Sequence, residues 1–314
     1  MIKQIIKILG LLLLFSCNTI DYNPKYKDFE NSWERENLIG KVKTFEKYKA
    51  NVSDFKTGEA DNPVIEFKKE FTELGNISYQ EYFDNFGKLE QYIKNEYNEK
   101  GHRVKSISEN FLMPSKSIET IKYNAKGKQI SVNIILNDTL TFNAKFEYNN
   151  DGYLINQTEI QDQDTTNNII TYIFNESGNI TLKKQIQNCK YGIYEYINTF
   201  KYDNENNLLE SQSKSNDFGS TKVIYSYDNK NRIEKITQYQ NDEIEKETLF
   251  DKFYNQILVR FYDSVTLDKE MKYKYSFDNK GNWIERKIYM KEHFGKDKNW
   301  KPVYIETRKI EYYE

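Results

Sequence analysis

The feature that most constrains the fold is a short phrase that recurs along the chain. Each copy has an aromatic residue, usually Asp or Asn next, two turn residues, Gly or Asn, one further residue, and then an aliphatic residue or Trp. Clear copies are Phe83–Leu89, Tyr148–Leu154, Phe174–Ile180 and Phe277–Trp283. Self-similarity of this kind predicts one small supersecondary unit that is stacked on its neighbours.

The leading aromatic residues of the phrase recur roughly every 26 residues. They are Phe71, Tyr97, Tyr123, Tyr148, Phe174, Tyr202, Tyr227, Phe250 and Phe277, and Phe83 begins an extra copy inside the first step. This spacing is shorter than the roughly 30 residues of a βαβ unit and suits two strands with two turns. Other turn-forming residues lie halfway between the copies, for example around Pro114 and at Asn137 and Asn241. Each period therefore predicts one β-hairpin.

The segments that lead into the turns alternate as half-buried strands do. In Phe142–Tyr148 and Lys272–Phe277 one face is aromatic, while Lys, Glu, Ser and Thr form the other. Within the turn, Asp or Asn can accept a hydrogen bond from the backbone two residues on, and Gly or Asn at the fifth position accepts a positive φ. Asn206 and Asn231 replace Gly in two copies, and Phe250–Asn255 is a degenerate copy.

Composition agrees with a thin repeat sheet. Aromatic residues make up 15% of the 314 residues and four prolines interrupt the chain, whereas the hydrophobic fraction of 38% is low for a thick core. The predicted fold class is all-β, an elongated antiparallel meander of about nine β-hairpin repeats with a curved or partly closed sheet. Less regular ends are expected to cap its exposed edges.

The N-terminus is built like a bacterial export signal. A short basic region is followed by the apolar run Ile8–Phe15, which is too short to span a bilayer as a helix. The ending Leu14–Cys17 resembles a lipobox, which implies acylation of Cys17 after cleavage. The alternative is an ordinary cleaved signal with an incidental cysteine. We therefore expect a signal peptide at 1–17, a polar tether at 18–35 and one repeat domain at 36–314.

The lipobox resemblance also bears on location. Asn18 follows the cysteine instead of the Asp that favours inner-membrane retention, so we expect an outer-membrane lipoprotein that faces the periplasm or the outside. The only other cysteine is Cys189. We expect no intramolecular disulfide, and a small half-buried Cys189 is favoured over a reactive thiol.

The phrase at Phe277–Trp283 resembles the YD repeat of RHS-type proteins. The segment Leu38–Lys43, followed by Tyr48 and then by Phe83–Leu89, resembles the opening of a group of small Bacteroidetes lipoproteins with RHS-like repeats. The resemblance covers roughly residues 36 to 290 and implies architecture. Large members of the superfamily form hollow β shells around a toxin. We expect neither their C-terminal toxin domain nor their self-cleavage core in this chain, so the resemblance implies no toxin role.

Residues that could carry chemistry are sparse. The two histidines, His102 and His293, have no metal-ligand spacing and are expected to be solvated turn residues. Asp162–Asn168 is similar to the start of a calcium loop but lacks the Gly at the sixth position and the Glu at the twelfth, so a polar hairpin tip is favoured. We expect no catalytic residue, cofactor or metal. A carboxylate pair for glycoside hydrolysis stays open, because pair geometry is not visible in a sequence.

Charge and aromatic patterning leave three functional hypotheses. The 46 basic and 48 acidic residues are interspersed, which argues against nucleic-acid binding. The first hypothesis is a lipid-anchored, non-catalytic envelope module that binds a protein partner through strand edges or a concave face, including an immunity role against a toxin. The alternative is a surface carbohydrate-binding lipoprotein, with Trp283 and Trp300 as possible ligand contacts and Trp33 as a third tryptophan of interest. An enzyme is the third hypothesis.

Overall fold

A computed structural model describes residues 32–54, 59–161, 164–216, 219–294 and 298–314. A short helix, α1 (Ser32–Arg35), precedes the strands. The first strands are β1 (Val42–Asp54), β2 (Glu59–Ala60), β3 (Val64–Phe71), β4 (Ile77–Phe83), β5 (Leu89–Tyr97), β6 (Arg103–Asn110), β7 (Ser115–Tyr123), β8 (Gln129–Leu136), β9 (Thr139–Tyr148) and β10 (Leu154–Gln161). The others are β11 (Asp164–Phe174), β12 (Ile180–Cys189), β13 (Gly192–Tyr202), β14 (Leu208–Ser215), β15 (Gly219–Tyr227), β16 (Ile233–Gln240), β17 (Glu243–Phe250), β18 (Gln256–Asp263), β19 (Thr266–Phe277), β20 (Trp283–Glu292) and β21 (Lys301–Tyr312). Within these residues, no helix combines the length and the apolar character that crossing a membrane requires.

Twenty of these strands form one closed antiparallel barrel, and the short β2 pairs with β1 alone. From β3 onward each strand pairs with the next along the chain, and β21 returns to pair with β1 from Val42↔Tyr312 to Asn51↔Tyr304. We call this β1–β21 pairing the closing seam. The expectation of a curved or partly closed meander with capped edges is therefore wrong. A twisted sheet of this many strands curls, and here the two terminal strands satisfy each other's backbone groups.

The repeated turns have the predicted chemistry. In the copy that begins at Tyr227, the Asp228 carboxylate accepts hydrogen bonds from the backbone amides of Lys230 at 2.8 Å and Arg232 at 3.0 Å. The amide of Asn231 donates to the Asp228 carbonyl, and Asn231 has φ +59°. Gly178 holds the same position with φ +79°. The prediction of an Asp or Asn side chain that bonds the backbone two residues on is confirmed, because these short polar side chains stabilise the turn locally.

Nine of these turns lie at one end of the barrel, which we call the repeat-turn end, together with the first residue of β1 and the last of β21. The turns follow β3, β5, β7, β9, β11, β13, β15, β17 and β19. The extra copy, Phe83–Leu89, connects β4 to β5 and therefore lies at the opposite end. The tight turns at Asn137 and Asn241 share that opposite end.

Tyrosine hydroxyls tie adjacent strands together at the repeat-turn end. Each donates to a backbone carbonyl at the start of the neighbouring strand, about 20 residues earlier for most pairs. The pairs are Tyr97 to Ile77, Tyr123 to Arg103, Tyr148 to Gln129, Tyr202 to Ile180, Tyr227 to Leu208 and Tyr275 to Gln256, while Tyr313 donates to Phe71 across the seam. All five tyrosines at the leading position make this bond, which Phe cannot make because it has no donor, and Tyr275 makes it from two residues before the leading Phe277.

The two faces of the sheet differ sharply. Directly opposed residues share a face, and by this criterion the buried Phe45, Ile121 and Leu208 all lie on one face, which we call the lumen face. The leading aromatic residue and the closing aliphatic residue of a phrase pair across their hairpin on this face, as in Tyr202↔Leu208. The repeated phrase therefore builds an apolar layer inside the repeat-turn end.

The backbone requirement of the turn can be tested with two opposite substitutions. A Cβ at Gly178 would meet no atom within 4 Å, so Gly178→Ala alters the backbone preference alone, and we expect a loss of ~1 kcal/mol in the free energy of unfolding. Tyr254 occupies the equivalent position of the degenerate copy with φ +62° and is half exposed. Tyr254→Asn should therefore stabilise by roughly 0.5 kcal/mol. Urea unfolding measures both changes, and a shift of the same sign in both variants would contradict this explanation.

Candidate functional site

The interior of the repeat-turn end holds the candidate site. Residues 32–40, which we call the N-terminal segment, cross this end of the barrel. The Ser32 amide donates to the Gly75 carbonyl at 2.9 Å, and the Asn282 side chain bonds both the amide and the carbonyl of Ile39. Asn37 reaches the carbonyl of Phe253. The segment is thus held at three separate turns and covers part of the barrel mouth.

Apolar packing fixes the N-terminal segment against the lumen face. Trp33 and Leu38 join the buried cluster of Val42, Phe45 and Phe71. The indole nitrogen of Trp33 donates to the Val42 carbonyl at 2.8 Å, so the ring is packed and also hydrogen-bonded. Burial of two large apolar side chains makes this contact a stable part of the fold.

A network of charged side chains lies beside this cluster on the lumen face. Glu306 is buried and accepts hydrogen bonds from Arg286, at 2.6 Å from Nε, and forms an ion pair with Lys47 at 2.9 Å. Lys47 also pairs with Glu66 at 2.8 Å. Burial alone raises the pKa of Glu306, but the charges of Arg286 and Lys47 outweigh burial and leave that pKa below its ordinary value. Glu306 is therefore ionised at neutral pH and serves as the counter-ion of Arg286 and Lys47.

Arg308 lies next to this network without a carboxylate of its own. Its guanidinium carbon is 3.5 Å from the ring centroid of Trp283 and 4.6 Å from that of Phe45. Only three buried side-chain atoms of the described chain have no hydrogen-bond partner, and two of them are Nε and Nη1 of Arg308. Burial, together with the nearby charge of Arg286, lowers the pKa of Arg308 to about 9. The guanidinium is still charged at neutral pH.

The two tryptophans expected to contact a ligand, Trp283 and Trp300, lie far apart and differ in exposure. Trp283 is 6% exposed and its ring touches both Arg308 and Arg286, so it presents no free face to a sugar. Trp300 is 38% exposed and precedes β21, at the opposite end of the barrel. Cys17, the expected lipidation site, lies outside the described residues.

The other residues singled out from the sequence have structural roles. Both histidines lie in segments that connect strands and are half-buried. His102 stacks on Tyr123 with ring centroids 4.8 Å apart, and His293 lies 3.0 Å from a carboxylate oxygen of Glu270. Cys189 is half-buried at the end of β12. Two residues of the calcium-like stretch, 162 and 163, lie outside the described residues. Elsewhere in the described chain no group of His, Cys, Asp and Glu side chains could hold a metal ion.

The charged residues of the lumen were not predicted from the sequence, because the alternation that would reveal them is interrupted in β20. In β20 an irregularity of register beside Trp283 places Trp283 and Arg286 on the same face, although three positions separate them. Simple alternation puts Arg286 outside. In β21 the sequence itself indicates the site. Glu306 and Arg308 lie on the same face of the strand as Tyr304, Ile310 and Tyr312. Charges inside an aromatic stripe indicate a polar site in an otherwise apolar face.

Comparison with known proteins gives limited similarity. A family model described only as "Uncharacterised protein" matches residues 93–199. No curated protein matches the chain. Among solved structures, a porin-like protein from Bacteroides uniformis ATCC 8492 has 12% sequence identity and a TM-score of 0.34, over 86% of this chain and 96% of that one. The TcdB2-TccC3 structure has 11% identity and a TM-score of 0.27, over 79% of this chain and 17% of that one.

The two neighbouring arginines should respond oppositely to neutral substitution. Arg286→Met leaves the buried Glu306 carboxylate with Lys47 alone, and we expect the free energy of unfolding to fall by roughly 2–3 kcal/mol. Arg308→Met removes two unsatisfied donors and the cost of a buried charge, offset by lost cation–π contact. We expect that variant to be unchanged or more stable by about 1 kcal/mol. Urea unfolding at pH 7 measures the free energy of unfolding of both variants. An equally large decrease in both would refute the assignment of Arg308 as unpaired.

Proposed function

We propose that the protein is a lipid-anchored binding module of the bacterial cell envelope, built from RHS/YD-like repeats and held to the outer membrane by an acyl group on Cys17. The export-signal pattern of residues 1–17 supports the anchor. A closed barrel fits an envelope protein. The proposal includes no catalytic step, and it leaves the side of the membrane open.

Closure of the barrel changes how such a module can bind a partner. A free strand edge offers unpaired N–H and C=O groups to another chain, but β1 and β21 use theirs in the closing seam. Binding through strand edges is therefore corrected to binding through side chains of the wall or of the lumen.

The observation that carries the proposal is an aliphatic surface on the outer wall. We call it the outer aliphatic patch, and it comprises Ile169, Ile173, Leu182, Ile186, Ile193 and Ile197 on the adjacent strands β11, β12 and β13. Cross-strand register places Ile169 opposite Ile186 and Ile173 opposite Leu182. More than half of the surface of Ile169, Ile173 and Ile193 is exposed. Clustered exposed aliphatic side chains are typical of surfaces that bind proteins.

Other parts of the outer wall are charged. Cross-strand ion pairs occur there, such as Lys105 with Glu96 at 3.5 Å and Lys201 with Glu210 at 2.8 Å. One ion pair lies within the outer aliphatic patch: Lys184, between Leu182 and Ile186 on β12, pairs with Glu195 of β13 at 2.7 Å. Interfaces that form and dissociate commonly combine apolar and polar side chains in this way, since as a whole they are about as apolar as the rest of a protein surface. The proposed partner is therefore a protein, and an immunity role against a toxin belongs to this class.

Carbohydrate binding is the alternative, and it has less support. Stacking on sugars needs exposed ring faces, whereas Trp283 is buried under two guanidinium groups. Trp300 is the remaining aromatic candidate, and its ring is partly exposed.

The protein-partner proposal predicts the outcome of crosslinking in the native envelope. The tagged protein should recover one dominant protein in near-stoichiometric amount. Changing Ile169 and Ile193 to Glu should reduce that recovery by roughly tenfold or more, because charge in an apolar interface costs several kcal/mol. The matched control changes Ile130 and Ile257 to Glu, two exposed aliphatic residues outside the patch.

Two outcomes would contradict the proposal. Equal recovery with the patch variant and the control would exclude the outer aliphatic patch as the interface. No enriched protein from the wild-type envelope, compared with an unanchored Cys17→Ala form, would exclude the protein partner and leave glycan binding, which a Trp300→Ala variant then tests.

A further inference from the structure

The unpaired guanidinium of Arg308 indicates a second function of the barrel that is separate from its outer wall. We propose that Arg308 is the centre of an oxyanion-binding site in the lumen, which takes a ligand carrying a carboxylate or phosphate group. This inference goes beyond the proposed function, because a protein can dock on the outer aliphatic patch whether or not the lumen binds an anion.

Two of the three guanidinium nitrogens of Arg308 have no acceptor among the described residues. Glu306 is bound by Arg286 and Lys47, and Glu36 of the N-terminal segment pairs with Lys69. Nε and Nη1 of Arg308 therefore make no hydrogen bond with a described residue. A buried, charged donor without an acceptor is strongly unfavourable. A ligand oxyanion would supply the missing hydrogen-bond acceptor.

The guanidinium of Arg308 is also packed against two aromatic rings. Trp283 and Phe45 each lie within cation–π distance of it, so two rings constrain its plane. A planar fork of N–H donors that is oriented in advance matches the two oxygens of a carboxylate or phosphate. Rigid placement of this kind is a common property of binding sites, because little entropy is lost when the ligand arrives.

The local balance of charge around Arg308 also favours an anion. Lys47, Lys69, Arg286 and Arg308 carry four positive charges at this part of the lumen, whereas the three carboxylates that contact them are Glu36, Glu66 and Glu306. One positive charge is left over, and it belongs to the residue with unsatisfied donors. A monoanion would neutralise the group.

The N-terminal segment borders the site. Trp33 packs on the cluster that contains Phe45, and the charge of Glu36 acts on Arg308. Because Nε and Nη1 are buried, a ligand reaches them only when neighbouring side chains shift. Small oxyanions are therefore the appropriate probes.

The site can be tested by calorimetric titration of the full-length anchored protein in detergent with inorganic phosphate and, separately, with glucuronate. Glucose is the uncharged control, and sodium chloride matches the ionic strength. We expect saturable binding of at least one oxyanion and none of glucose. Arg308→Met should weaken that binding at least about tenfold, and Arg308→Lys should weaken it too, because lysine keeps the charge but lacks the fork.

Lys309→Met is the matched control, since Lys309 is the next residue of β21 and is exposed on the outer wall. It should bind as the wild type does. Binding of phosphate alone or of glucuronate alone identifies the natural source of the oxyanion, and either result supports the site. Absence of oxyanion binding to the wild type, or equal binding to Arg308→Met, overturns the inference. Neither of these results bears on crosslinking at the outer aliphatic patch.

Discussion

The closing seam between β1 and β21 is the interaction on which the rest of the structure depends. It joins the first and last strands through nine register positions from Val42 to Asn51. Without it, both strands would expose a row of backbone donors and acceptors. With it, the sheet has an inside and an outside, and residues far apart in sequence meet in the lumen. Arg308 lies opposite Lys47 only because of this pairing.

The interior has two kinds of stabilisation. At the repeat-turn end the aromatic and aliphatic residues of each phrase form an apolar layer, tied by tyrosine hydroxyls to neighbouring strands. Beside it, buried ions are kept in place by pairing, as Glu306 is by Arg286 and Lys47. Ion pairs of this kind contribute less to stability than apolar packing does, but losing one partner is costly. An arginine without a partner therefore calls for a functional explanation.

The local structure was predictable because the repeated phrase encodes it locally. The carboxylate of Asp228 and the positive φ of Gly178 and Asn231 follow from turn chemistry that involves five consecutive residues. The closing seam was not predictable in this way, because β1 lies before the repeated phrases and β21 after them. The lumen site also escaped prediction: the irregular register beside Trp283 shifts the alternation in β20, so that Arg286 faces inward. In β21, the charged residue Arg308 inside an aromatic stripe was the one readable signal.

Hydrogen exchange of the backbone amides in β1 and β21 tests closure most directly. A closed barrel predicts that amides such as those of Phe45 and Ile310, which are opposed in the seam, exchange as slowly as those of the central strands β11 and β12. Fast exchange of the amides that β1 and β21 direct toward each other, with protection of those that face β3 and β20, would show that the two strands are free edges. That result would contradict the closed barrel and, with it, the assembly of Lys47, Glu306 and Arg308 into one lumen site.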